Sequence, residues 1–88
     1  MQPYTLELMY QGQKLILEQL RLGAMSMDQM IEFLKMKEIP YARRIAKEVA
    51  WSLSEEGLAE FNYNWMLELT DAGWSAILGE VERETRDV

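Results

Sequence analysis

The chain has 88 residues, 49% apolar and 27% charged, which fits one globular domain and excludes two separate cores or a disordered chain. It has neither Cys nor His, so disulfides, thiolate metal sites, thiol nucleophiles and imidazole acid–base chemistry are excluded. A net charge of −6 argues against a generic nucleic-acid binder, and the longest uncharged run, Ala72 to Gly79, is far short of a membrane span.

Tyr4 to Leu22 reads as a first helix. Met9, Ile16 and Leu20 form one stripe, and Leu8, Leu15 and Leu22 recur every seven residues on its flank. Gly12 weakens its middle, so residues 1–10 are either an arm or the start of this helix. Gly23-Ala24 ends it. Ser26-Met27-Asp28-Gln29 is a capping box, in which the hydroxyl and the Gln side chain satisfy each other's orphan amides. It opens a second helix to about Met36 that buries Met27, Met30, Ile31 and Leu34. Pro40 suits the first position of a third helix, which runs to Glu56 and stops at Gly57. The apolar stripe of that helix is Ala42, Ile45, Ala46, Val49 and Leu53.

Leu58 to Tyr63 and Trp65 to Leu69 are short aromatic-rich runs around Asn62-Tyr63-Asn64, the pattern of a tight hairpin. Thr70-Asp71 caps a last helix with an inward stripe of Trp74, Ile77, Leu78 and Val81. The chain therefore divides into an N-terminal segment 1–10, a folded domain 11–81 and a frayed acidic tail 82–88. The fold expected is mainly α with a small β-hairpin, an α+β class in the order α-α-α-β-β-α.

That order is the core of a winged helix-turn-helix. Leu53-Ser54-Glu55-Glu56-Gly57-Leu58 resembles the end of a winged-helix third helix entering the wing. Leu69-Thr70-Asp71-Ala72-Gly73 resembles the L-T-x-x-G step from the wing's second strand into the last helix. Over residues 11–80 the chain resembles the small ArsR- and MarR-like winged-helix proteins, closest to the short kind encoded by Mu-like phages and prophages. The resemblance implies duplex DNA as partner, a regulatory role in transcription, and use as a dimer. It implies no cofactor or effector.

Charge segregation gives the resemblance a location. Residues 1–47 balance to +2 and residues 48–88 to −8, and Lys35, Lys37, Arg43, Arg44 and Lys47 fall within thirteen positions. At 100° per residue, Arg43, Arg44 and Lys47 point away from the core stripe, as a helix entering the major groove requires. Lys35 and Lys37 in the preceding turn reach for backbone phosphates, and Tyr41 at the helix start donates another phosphate contact. The plainer alternative is a solvated basic face.

Two features favour a protein partner instead. Leu58 to Leu69 has no Lys or Arg but carries Glu60 and Glu68, which repel phosphates. Trp51 falls opposite the buried stripe, either as a partner anchor, or stacked or wedged against nucleic acid, or packed under the N-terminal arm or on Trp65. Leu8, Leu15 and Leu22 form either core or a dimer seam. The carboxylates Glu55-Glu56, Glu80, Glu82 and Glu84 read as solvated helix ends, and a hard-cation site on Glu80 and Glu84 lacks a supporting loop. The start, MQPYTLELMYQ, does not read as a secretory signal. A cytoplasmic, non-enzymatic protein without membrane attachment, metal or cofactor is the expectation.

Overall fold

A computed structural model of the chain describes residues 3–86, with side chains through Gly79. Its elements are α1 (Leu6–Leu20), β1 (Met25–Ser26), α2 (Met27–Met36), α3 (Ala42–Glu55), β2 (Ala59–Phe61), β3 (Met66–Leu69) and α4 (Asp71–Arg86). The class is α+β and mainly helical. One strand departs from expectation. β1 pairs antiparallel with β3, Met25 opposite Leu67 and Ser26 opposite Met66, giving a three-stranded sheet in the order β1-β3-β2. The order is thus α-β-α-α-β-β-α rather than α-α-α-β-β-α, because a two-residue strand is too short to show periodicity.

α1 begins at Thr5, whose hydroxyl accepts from the Leu8 amide at 3.2 Å, and it runs unbroken through Gly12. The glycine is a place of close approach rather than a break. A Cβ there would stand 2.4 Å from Ile45 Cγ2 of α3, so the missing side chain lets the two helices touch. Residues 6–10 are therefore helix, not a separate arm, while residues 1 and 2 lie outside the described chain.

The capping box at Ser26 forms in both directions, Ser26 N–H to Gln29 Oε1 at 2.9 Å and Gln29 N–H to Ser26 Oγ at 3.2 Å. α2 ends with Glu38 in the left-handed region at φ 59°. There the Ile39 amide reaches back to Leu34 O at 3.0 Å and the Glu38 amide to Lys35 O at 2.9 Å. These two bonds are a Schellman stop. Pro40 follows that stop and is not the first residue of the next helix. Tyr41, also left-handed at φ 59°, intervenes as the N-cap of α3.

The stripe Ala42, Ile45, Ala46, Val49 and Leu53 is buried, joined by Ala50. It packs against Leu8, Ile16 and Leu20 of α1 and Met30, Ile31 and Leu34 of α2, with Met25, Ala59 and Leu67 of the sheet closing the cluster. α3 stops at Gly57, φ 73°, by the same Schellman geometry: Leu58 N–H to Leu53 O at 2.9 Å and Gly57 N–H to Ser54 O at 3.1 Å.

Thr70 starts α4 as expected, its hydroxyl donating to Gly57 O at 2.5 Å and accepting from the Gly73 amide at 3.1 Å. The inward stripe of α4 is not buried. Leu78 is 53% exposed and Trp74 39%, Ile77 is half-buried, and the Val81 side chain lies outside the described residues. The helix meets the rest of the chain chiefly through β3, so its apolar face projects beyond the three-helix core. The backbone stays helical to Arg86, where a frayed tail was expected, and residues 87–88 lie outside the described chain. No helix among the described residues is long and apolar enough to cross a membrane.

Candidate nucleic-acid interface

The outward face of α3 follows from its inward one. Burying 42, 45, 46, 49, 50 and 53 leaves Arg43, Arg44, Lys47 and Trp51 on the opposite side, all exposed. An open depression of about 510 Å³ at the start of α3 is lined by Lys35, Tyr41, Ala42, Arg43, Arg44 and Lys47. Five of the six residues expected to contact DNA therefore share one surface. Lys37 does not. It lines a separate groove of about 560 Å³ with Leu22, Phe33 and Met36, its Nζ 5.7 Å from the centre of the Phe33 ring.

The cations are not equally available. Lys35 pairs with Glu32 at 3.6 Å, both ends well exposed, a contact worth little. Arg43 and Lys47 make no ion pair or hydrogen bond among the described residues. Arg44 is held inside its own chain. Its Nε lies 3.3 Å from Glu48 Oε1, and its guanidinium stacks 3.9 Å above the Tyr4 ring. The Tyr4 hydroxyl in turn donates to Glu48, and the ring meets Tyr41 edge-on at 5.7 Å. Tyr4 thus straps the entry to α1 onto the first turns of α3. Glu48 is legible from sequence as the residue four after Arg44. Tyr4, forty-four positions away, leaves no such signal.

This cluster carries a pH dependence. The Tyr4 hydrogen bond, followed by Arg44, holds the Glu48 carboxyl below its ordinary value despite partial burial. Burial and the same bond raise the Tyr4 hydroxyl. A lowered carboxyl adds stability above its unfolded value and loses it as pH falls through the folded value. Glu48→Gln is expected to cost about 1 kcal/mol at neutral pH, because the carboxylate is 39% exposed, and to cost progressively less as pH falls below the ordinary carboxylate range. Urea midpoints of the two proteins across that range check this. A gap independent of pH contradicts it.

No side chain caps α3, and its first turn has no acidic residue, so the amides there keep their positive end toward the depression. The N-cap itself is strained, since a left-handed tyrosine costs about 1 kcal/mol or more.

Trp51 is 68% exposed and Trp65 79%, so neither covers the other, and the N-terminal segment packs on Tyr41, Arg44 and Glu48 instead. The leucine repeat is not one exposed stripe. Leu8 is in the core, Leu15 is half-buried against it, and Leu22 lies past the helix end at 82% exposure. Among the described residues no group of three or more carboxylates is placed to hold a metal ion, and the side chains of Glu80 and Glu84 lie outside them. No protein-family model matches the chain, and neither a curated protein nor a solved structure is detectably similar to it.

Proposed function

We propose that this chain is a small non-enzymatic winged helix-turn-helix protein that binds duplex DNA through α3, acting as a transcriptional regulator of phage or prophage type. The observation that carries the reading is the exposed pair Arg43 and Lys47 on the outward face of α3, unpaired among the described residues, beside a depression that Lys35 and Tyr41 also line. A cationic helix face standing clear of the core suits the major groove, where side chains near the helix start reach base edges and the flanks meet phosphates. The uncapped start of α3 adds a second attraction for a phosphate. With Arg44 bound by Tyr4 and Glu48, the groove-facing work falls to Arg43 and Lys47, and backbone positioning to Lys35 on the same surface.

Amide chemical shifts of the labelled protein, titrated with a random-sequence duplex at low salt, test the reading. The expected perturbations centre on residues 35–51. Perturbations confined to α1 or α4, or none at saturating duplex, would refute it.

A further inference from the structure

The hairpin formed by β2 and β3 is chemically the opposite of α3. From Leu58 to Leu69 it contains no Lys or Arg. Glu60 and Glu68 stand directly opposite each other across the ladder, on one face of the sheet. Like charges in that register destabilise a strand pair, and only an Asn62 Nδ2–H bond to Glu68 at 3.3 Å tempers the repulsion.

Exposed aromatic residues share a hollow with the two carboxylates. Phe61, Tyr63 and Trp65 are exposed, Tyr63 completely, and with Glu60, Asn62 and Glu68 they line a hollow of about 540 Å³. Trp65 sits at φ 57° in the position of a three-residue loop that favours glycine. The Asn62 side chain holds this loop by accepting from the amides of Asn64 at 2.9 Å and Met66 at 3.1 Å. A strained backbone that displays a tryptophan to solvent beside two repelling carboxylates is a local cost with no return inside the monomer.

Carboxylates in a hollow that exposed aromatic residues also line fit cationic side chains. The chain itself presents such a surface: Arg43 and Lys47 on α3, unpaired among the described residues, with exposed Trp51 one turn beyond Lys47. The other described cations match less well: Lys14 on α1 and Arg21 at its C-cap flank Glu18, Lys35 pairs with Glu32, Arg44 is held by Glu48, and Lys37 lies over Phe33. We propose that the hairpin docks on the basic α3 face of a second copy of this chain. The carboxylates Glu60 and Glu68 meet Arg43 and Lys47, and the hairpin rings meet Trp51. The contact repeats from copy to copy, either closing reciprocally around a two-fold axis or extending head to tail. It occupies the same face that duplex DNA would use, so self-association and DNA binding exclude one another. The proposal does not depend on DNA being the ligand.

Sedimentation velocity on the full chain at about 50 mM and about 500 mM salt tests it without any nucleic acid. The expected result is association at low salt that weakens several-fold at high salt. Glu60→Lys with Glu68→Lys, and separately Arg43→Glu with Lys47→Glu, should each give monomers. An equimolar mixture of the two double variants should associate again, because both contacts are then complementary in sign. Trp65→Gly removes a ring while relaxing the loop, so it should weaken association with the hairpin still folded. A wild-type chain that stays monomeric at low salt overturns the proposal. So does association indifferent to these substitutions, or a mixture of the two double variants that remains monomeric.

Discussion

Replacing Arg43 and Lys47 together by alanine is expected to weaken binding to a random duplex at low salt by about a hundredfold, about tenfold for each cation no longer on a phosphate. It should also lower the salt slope by about two, one for each phosphate charge no longer neutralised. Both side chains are exposed and, among the described residues, unpaired, so stability should change by no more than about 0.5 kcal/mol. Arg44→Ala should behave in the reverse way. It removes the guanidinium stacked on Tyr4 and bonded to Glu48, costing about 1 kcal/mol of stability, with a smaller effect on DNA. Fluorescence anisotropy and urea denaturation on the same preparations separate the two classes. Unchanged binding in the double variant contradicts the assignment of α3 as the reading helix.

The second large effect is on the fold. Gly73→Ala is expected to destabilise the domain by about 3 kcal/mol, the upper range for forcing a methyl group into filled space. A Cβ at Gly73 would stand 2.0 Å from the carbonyl oxygen of Leu58 and 3.1 Å from Leu69 Cδ2. The first obstacle is backbone, fixed by the Schellman stop of α3 and by the Thr70 amide donating to the same Leu58 oxygen at 3.0 Å. Neither can retreat without loosening the junction between α3, the hairpin and α4. Gly79→Ala, also in α4 but with nothing within 4 Å, should instead stabilise the helix by about 0.5–1 kcal/mol. Thermal or urea midpoints of the pair check the contrast. Equal shifts would mean that α4 does not dock through Gly73.

Much of this arrangement is written in local chemistry. The capping box at Ser26, the Gly57 stop and the Thr70 cap each depend on a side chain or a φ that few residues supply, and each forms where the sequence places it. The α3 stripe is equally legible, because five small or branched apolar residues recur at helical spacing and are buried together, with Ala50 joining them.

What is not legible is tertiary. Gly12 reads as a weak point in a helix, and only the approach of Ile45 shows it as a contact. Glu38 adopts a left-handed conformation that sequence rules reserve for glycine, which displaces Pro40 from the helix start. The α4 stripe has the right period but no core to meet, since periodicity says which residues share a face and not what faces them. For the candidate site, residue positions on the helix wheel give the basic face correctly. They do not separate Arg44, which is engaged, from Arg43 and Lys47, because that distinction depends on Tyr4 from the far end of the chain.

The account rests on α3 presenting a phosphate-binding surface, and the most direct measurement is the salt dependence of duplex affinity for the unaltered protein. Anisotropy of a labelled random duplex would be titrated at about 50 and about 200 mM salt. With Lys35, Arg43 and Lys47 on phosphates of a random duplex, affinity should fall about fortyfold between the two. No binding at the lower salt, or binding that ignores salt, would contradict the central claim.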